Sequence, residues 1–209
     1  MPSSPTGQLT LVFERVPNGT GSNYLYELKP GEELLLSGSY GNFSLSLSLD
    51  RELLLVSRYT GLVPIRCILK QLATSGALPQ CILIAVGPAM EELLYHDELL
   101  ALAVQHPSFR YMPMAMNGTD QEVVEATRKL LRPLITNRPK VMPLLSGVKE
   151  FVRPLRAYFI EAGSDRKEVK LKPTISALPA RDSYSRTESR PQCPACRSAH
   201  IGNQAVTAT

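Results

Sequence analysis

The feature that most constrains this chain is a continuous apolar run that is followed by a turn and a helical pattern. Residues 53–56 are all apolar, as in a strand that is buried on both faces of a parallel sheet. Thr60 and Gly61 mark a turn, and Pro64 lies where the first turn of a helix tolerates proline, because no backbone amide is needed there. Apolar residues then recur at helical spacing, at Ile65, Ile68, Leu69 and Leu72. The segment is therefore predicted to be a strand, a glycine turn and a helix.

Two interpretations of this turn remain open from its spacing alone. In a parallel sheet the amides of such a turn face the carboxyl edge, which is where nucleotides bind. A strand, turn and helix without any ligand would have the same spacing, and a short motif is only a hypothesis until its context confirms it.

The rest of the chain changes in character along its length. The first fifty residues are rich in strand patterns, at 9–16, 34–36 and 43–49, with one short helix at 23–28 for which Ser22 is the predicted cap. Strands and helices then alternate: strands are predicted at 81–86, 109–116, 140–145 and 169–172, and helices at 90–105, 120–131 and 150–161. This alternation predicts an α/β fold with a parallel sheet and helices on its faces.

Composition excludes several classes of protein. The 209 residues carry a formal net charge of +4, which suits an anionic ligand or an acidic partner without requiring either. No apolar run approaches the length that spans a bilayer, and no signal peptide is visible, so we expect a cytoplasmic protein without membrane or nucleic-acid partners. Cys67 and Cys81 lie in apolar segments and are expected to be buried, reduced thiols.

The last part of the chain, residues 173–209, is rich in Pro, Ser, Arg and Thr and is predicted to be a disordered tail. It contains Cys193 and Cys196 in a C-x-x-C pattern, followed by His200. A structural zinc site normally has four ligands, and only three candidates stand close together here. We therefore predict no metal site.

Six motifs in order carry a resemblance to a known family. They are G-x-x-S-x-x-L at 19–25, L-K-P-G at 28–31, the T-G-x-x-P part of G-T-G-x-A-P at 60–64, L-L-Y-x-x-E at 93–98, a segment at 146–151 like C-G-x-K-x-M, and G-x-D-x-x-x-V at 163–169. In this order and register the chain resembles the ferredoxin–NADP reductase superfamily over most of residues 3–172.

The resemblance implies a nucleotide-binding α/β domain at 51–172, preceded at 1–50 by a partial antiparallel flavin-binding β-barrel and followed by the tail at 173–209. It implies a flavin-dependent NAD(P)H oxidoreductase that moves electrons between a nicotinamide nucleotide and a redox protein, such as a ferredoxin or an oxygenase. The implied cofactors are FAD and either NADH or NADPH. The alternative is a non-enzymatic or decayed fragment that retains only the fold.

The resemblance also implies roles for particular residues. The flavin pyrophosphate would contact Gly19, Gly21, Ser22 and Asn23, at the small helix that holds it in the family. The nicotinamide nucleotide would contact Thr60, Gly61, Pro64 and Gly147. Ser146 stands at the position of the family's cysteine beside the nicotinamide and is the candidate catalytic residue.

Three departures from the family pattern lead to further expectations. The chain begins after the family's R-x-Y-S flavin tetrad, so it resembles an N-terminally truncated, divergent member that binds little FAD. Tyr59 occupies the first glycine of G-T-G, and its ring would obstruct a pyrophosphate. Asn117 and Gly118 replace the family's clamp for the 2′-phosphate, so a preference for NADPH is unsupported.

Overall fold

A computed structural model describes residues 9–35, 43, 45, 51–136, 141–174 and 206–208 of the chain. The strands are β1 (Leu9–Leu11), β2 (Leu53–Arg58), β3 (Cys81–Gly87), β4 (Phe109–Ala115), β5 (Met142–Val148), β6 (Lys170–Thr174) and β7 (Val206–Ala208). The helices are α1 (Thr20–Tyr26), α2 (Leu62–Thr74), α3 (His96–Gln105), α4 (Asp120–Ile135) and α5 (Lys149–Glu161). The chain divides into two compact units, Met1–Tyr40 with Ser176–Thr209 and Gly41–Ile175.

In the first unit, β1 pairs antiparallel with β7, a strand that the composition of the tail did not predict. Strand β1 is shorter than the predicted 9–16, and no strand forms at the described residues 34 and 35. Helix α1 begins at Thr20 with Gly19 as its N-cap, so Ser22 lies inside the helix and the predicted cap is wrong. A flavin-binding barrel is not seen among the residues described here, and it stays a prediction.

The second unit is an α/β layer structure built on a sheet of five parallel strands in the order β4-β3-β2-β5-β6. The central strand β2 is buried along its whole length, as its continuous apolar run predicts. Side chains on its two faces enter different cores: Leu53 and Leu55 pack with α2 and α3, whereas Leu54 and Val56 pack with α4 and α5. The predicted α/β fold with a parallel sheet is therefore confirmed.

The predicted strand, turn and helix at the centre of the chain are also confirmed. Strand β2 leads into a 3₁₀ turn, Tyr59–Gly61, and α2 begins at Leu62. Pro64 lies in the first turn of α2, where its missing amide breaks no helical hydrogen bond. The apolar residues at helical spacing form the buried face of α2.

The helix predicted at 90–105 is wrong in its first half. Met90–Glu92 form a 3₁₀ turn, Leu93 is extended, and α3 begins only at His96, after Tyr95 in a left-handed conformation with φ 56°. Leu93 is buried against Gly87, where an added Cβ would lie 2.9 Å from its Cδ2 atom. The apolar spacing at this point therefore reflects a loop that inserts a leucine into the core.

Other differences are smaller and have local causes. Pro113 lies within β4, which tolerates a proline because it is an edge strand of the sheet. Helix α4 continues through Pro133 to Ile135, four residues past its predicted end at 131. Cys81 is buried as expected, but Cys67 is exposed. Of the strand predicted at 43–49, only 43 and 45 lie within the described residues.

None of the helices in the described ranges has the length and apolar character of a segment that crosses a bilayer.

Candidate functional site

The order of the strands places a topological switch point, here called the crevice, between the carboxyl ends of β2 and β5. Along the chain, β2 is followed by β3 and β4 on one side of it, and the chain then returns to form β5 and β6 on the other side. The connections leaving the carboxyl ends of β2 and β5 therefore diverge to opposite faces of the sheet. In open α/β sheets, ligands bind at such a topological switch point.

Two glycines bring the ends of β2 and β5 together at this switch point. A Cβ on Gly61 would lie 2.4 Å from the carbonyl oxygen of Ser146, a contact that no real side chain makes. Gly147 has φ +150°, and a Cβ there would lie 3.3 Å from the Cβ and carbonyl oxygen of Arg58. Gly61 is thus required by the contact between the turn and β5, and Gly147 by its backbone conformation.

The helices at this edge differ in how their first amides are satisfied. Neither α2, with Gly61 at its N-cap, nor α5, with Val148, has a side-chain cap. Helix α4 is capped by Thr119, whose hydroxyl accepts from the Glu122 amide at 3.3 Å while the Thr119 amide donates to the Glu122 carboxylate at 2.8 Å. The amide of Leu62, the first residue of α2, donates to carbonyls of the preceding 3₁₀ turn, so the positive end of this helix lies at the turn itself. Both helices thus begin beside the switch point without a side-chain cap, and a helix N-terminus favours anions.

A buried arginine lies at the end of β2. The Arg58 side chain is 5% exposed and forms an ion pair with Asp120, which is 50% exposed, in the first turn of α4. Its Nη2 atom donates to the Tyr59 hydroxyl at 3.3 Å. Its Cζ atom lies 4.8 Å from the centre of the Tyr59 ring and 5.8 Å from that of Phe151. The switch point therefore holds a guanidinium between a carboxylate and two aromatic rings.

Tyr59 has a backbone conformation that favours glycine. Its φ of 51° lies in the left-handed region, which costs an L-residue with a Cβ roughly 1 kcal/mol. The position where the family pattern has glycine thus keeps a glycine-like backbone while carrying a tyrosine.

The structure brings the residues predicted to contact the nicotinamide nucleotide together around this crevice. Thr60 and Gly61 form the turn, Pro64 lies in the first turn of α2, and Gly147 lies near the end of β5. Ser146 adjoins them, but it is fully buried and its Oγ donates to the Lys172 carbonyl of β6 at 3.2 Å. A catalytic role for Ser146 stays a prediction.

The residues predicted to contact flavin lie together in the first unit. Gly19, Gly21, Ser22 and Asn23 are the N-cap and early residues of α1. Ser22 Oγ accepts from the Val16 amide at 3.0 Å, and Asn23 Oδ1 accepts from Arg15 Nε at 2.8 Å. Both side chains therefore hold the preceding loop, and an anion at this helix would be bound by main-chain amides. Gly21 has open space around it, since a Cβ there would meet no atom within 4 Å.

A second charged cluster joins α2 to α3. Arg66 makes a two-fold hydrogen bond to the Glu98 carboxylate at 2.9 and 2.7 Å, and its Cζ lies 4.0 Å from the centre of the Tyr95 ring. Burial opposes ionisation of Glu98, but the hydrogen bond and charge of Arg66, together with the charge of Lys70, lower its pKa below the ordinary value. This cluster is a structural clamp between two helices.

Sequence reasoning did not find the pair of Arg58 and Asp120. The two residues are 62 positions apart, and each belongs to a separate predicted element. The available signal was a charged residue shortly after the apolar run 53–56, next to the unexpected Tyr59. As for metals, the described residues contain no cluster of three or more His, Cys, Asp or Glu side chains that could hold an ion.

Comparisons with known proteins agree with this architecture. No protein-family model matches the sequence. The chain is 33% identical over 111 residues to ferredoxin–NADP reductase B of Sorangium cellulosum, a match that covers 52% of this chain and 46% of that protein. It is 32% identical over 106 residues to the toluate 1,2-dioxygenase electron transfer component of Pseudomonas putida, covering 50% of this chain and 31% of that protein. The chain thus spans less than half the length of these curated relatives.

Among solved structures, the ferredoxin–NADP+ reductase from Plasmodium falciparum has a similar fold. The TM-score is 0.63 at 19% sequence identity, and the match covers 79% of this chain and 69% of that one. At this identity the likeness concerns the fold alone. The sequence matches are to a ferredoxin–NADP reductase and to an electron transfer component, and the order of motifs resembles that of the ferredoxin–NADP reductase superfamily.

Proposed function

We propose that the second unit binds a nicotinamide dinucleotide at the switch point, as part of a flavin-dependent NAD(P)H oxidoreductase of the ferredoxin reductase type. The observation that carries the proposal is the crevice between β2 and β5, where Gly61 and Gly147 pack the strand ends together and two helices begin without side-chain caps. A dinucleotide carries a doubly negative diphosphate, which suits two helix N-termini.

The residues present fit such a ligand in charge. The uncapped ends of α2 and α5 and the buried Arg58 all favour an anion. In the first unit, the amides at the start of α1 and the open space at Gly21 are compatible with a flavin pyrophosphate. When bound, the nicotinamide supplies a hydride and the flavin passes the electrons on singly.

The chain's own residues would bind and orient these groups. Thr60, Gly61, Pro64 and Gly147 would form the contact surface for the nicotinamide nucleotide. We retain Ser146 as the catalytic candidate at the nicotinamide end. Its hydroxyl donates a hydrogen bond to the Lys172 carbonyl oxygen, so Ser146 would take part only after that hydrogen bond breaks. The redox partner is proposed to be a ferredoxin or an oxygenase component, the latter because one relative is named as the electron transfer component of a dioxygenase.

We further propose that NADH is preferred over NADPH. After β4, a Cβ on Gly118 would lie 3.0 Å from the Glu122 carboxylate, so a negative charge adjoins the region that would face the adenosine ribose. Hydrogen bonds from the backbone and hydroxyl of Thr119 lower the pKa of Glu122, which keeps it ionised. A carboxylate accepts hydrogen bonds from a ribose 2′-hydroxyl but repels a 2′-phosphate.

Titration calorimetry of the full chain with NADH and NADPH tests both proposals. We expect NADH to bind and NADPH to bind at least about tenfold more weakly. Thr60→Asp adds a carboxylate in the turn and is expected to weaken NADH binding about tenfold or more. Thr136→Asp is the matched control, because it makes the same change in an exposed residue at the end of α4, on the opposite edge of the sheet. Absence of NADH binding, or equal binding by the wild type and Thr60→Asp, would overturn the proposal.

A further inference from the structure

We infer that Arg58 is a phosphate-binding residue: its guanidinium leaves the Asp120 carboxylate and pairs with a phosphate of the bound dinucleotide. This inference rests on the proposed function and assigns a role to a residue that the sequence motifs do not include. It makes a cationic side chain part of a site that would otherwise bind phosphate through backbone amides.

The position of Arg58 is the first support. It is the last residue of β2, the strand that forms one wall of the crevice, and Gly147 at the end of β5 packs against its backbone and Cβ. Side chains alternate along a strand, so Arg58 continues the face of Leu54 and Val56 and contacts Phe151 of α5. Its guanidinium is therefore held at the carboxyl edge, beside the switch point.

The asymmetry of the ion pair is the second support. The Arg58 side chain is 5% exposed, whereas Asp120 is 50% exposed, so the carboxylate can return to water more easily than the guanidinium can. Asp120 also lies in the first turn of α4, where the helix N-terminus stabilises a negative charge without Arg58. A phosphate that replaced Asp120 would thus leave the carboxylate in a favourable place and the buried cation still paired.

The geometry of the pair is the third support. Arg51 with Glu168 and Arg66 with Glu98 each form two parallel hydrogen bonds. In the described part of the chain, Arg58 meets Asp120 through one nitrogen and one oxygen, and its other terminal nitrogen donates to the Tyr59 hydroxyl. The planar guanidinium of an arginine can form two parallel hydrogen bonds to a phosphate. A bound phosphate can therefore make more hydrogen bonds with Arg58 than Asp120 does.

Comparing the affinities for ADP and for adenosine distinguishes the loss of a phosphate contact from a structural effect of the substitution, because only ADP carries phosphates. We expect Arg58→Ala to weaken binding of ADP and NADH about tenfold or more, because a charge-assisted pair is lost, and to change adenosine binding less than about twofold. Arg58→Lys keeps the charge without the fork and should lie between. Asp120→Asn removes the competing carboxylate and should strengthen ADP binding severalfold. Arg66→Ala is the matched control: it removes an ion-paired arginine from the α2–α3 clamp and should leave ADP binding unchanged.

Four results would overturn the inference. Tighter binding of ADP by Arg58→Ala would show that the guanidinium blocks the crevice. Unchanged ADP binding in Arg58→Ala, with NADH bound by the wild type, would show that Arg58 is only structural, and the proposed function would stand. If neither the wild type nor any variant binds NADH or ADP, the proposed function fails as well. Thermal unfolding shows whether Arg58→Ala folds. If it does not, Arg58→Lys and Asp120→Asn test the inference instead, and an unchanged affinity for ADP in both variants would refute it.

Discussion

Replacing Tyr59 tests how the turn at the end of β2 controls access to the crevice. In the wild type the ring lies over the Arg58 guanidinium, and its hydroxyl accepts a hydrogen bond from it at 3.3 Å. If the ring obstructs the crevice, a dinucleotide that approaches the backbone of this turn would have to displace it. Tyr59→Gly removes this obstacle and also suits the left-handed backbone at φ 51°.

The size of the effect follows from the contacts that the ligand would break. The cation–π contact contributes about 1 kcal/mol and the hydrogen bond about 1 kcal/mol more. Their sum of about 2 kcal/mol corresponds to a roughly 30-fold change in affinity. The free energy of unfolding changes less: relief of about 1 kcal/mol of backbone strain partly offsets the lost contacts, which leaves a net loss of roughly 1 kcal/mol.

Titration calorimetry with NADH, together with thermal unfolding, measures both quantities. We expect Tyr59→Gly to bind NADH roughly 30-fold more tightly than the wild type. Tyr59→Phe keeps the ring and loses only the hydroxyl, so its gain should be about fivefold. Tyr59→Ala keeps a Cβ in the left-handed backbone, so it should bind like Tyr59→Gly but be about 1 kcal/mol less stable. Equal, tight binding by the wild type and Tyr59→Gly would refute the reasoning.

Three further predictions concern the flavin, a cysteine and a carboxylate. The purified chain should carry little FAD, because its 209 residues contain no R-x-Y-S tetrad; a stoichiometric flavin absorbance near ~450 nm would contradict this. Burial raises the pKa of the Cys81 thiol to about 12, so in a variant with the other three cysteines changed to Ser, a thiol reagent at neutral pH should react only on unfolding. The pKa of Glu98 is lower in the folded protein than in the unfolded chain. The ionised Glu98 therefore stabilises the fold above its pKa in the unfolded chain, and this stabilisation is lost as the pH falls through its pKa in the folded protein. Glu98→Gln should therefore flatten the acid limb of the stability profile below about pH 4, and an unchanged profile would exclude this role.

Some of the architecture could be predicted from the sequence because its causes act within a few residues. The apolar run of β2 can only be buried on both faces, the turn at Thr60 and Gly61 ends it, and a proline in a first helical turn is compatible with α2. The alternation of strand and helix patterns then favours a parallel sheet. These local signals also placed the predicted nucleotide contacts on the segments that meet at the switch point.

The tertiary structure decided the features that depend on residues far apart in the chain. The helix pattern at 90–105 failed at Leu93, because a leucine in a loop that packs on Gly87 has the same spacing as one on a helix. A Cβ on Gly61 would collide with Ser146 and Gly147 of β5, a packing constraint that no local pattern predicts, while the contact of Gly61 with a ligand stays a prediction. Arg58 and Asp120 meet across 62 positions only because the strand order carries α4 to the same edge as the end of β2. Local propensity acts over a few residues, whereas strand order and buried ion pairs are set by packing and desolvation throughout the fold.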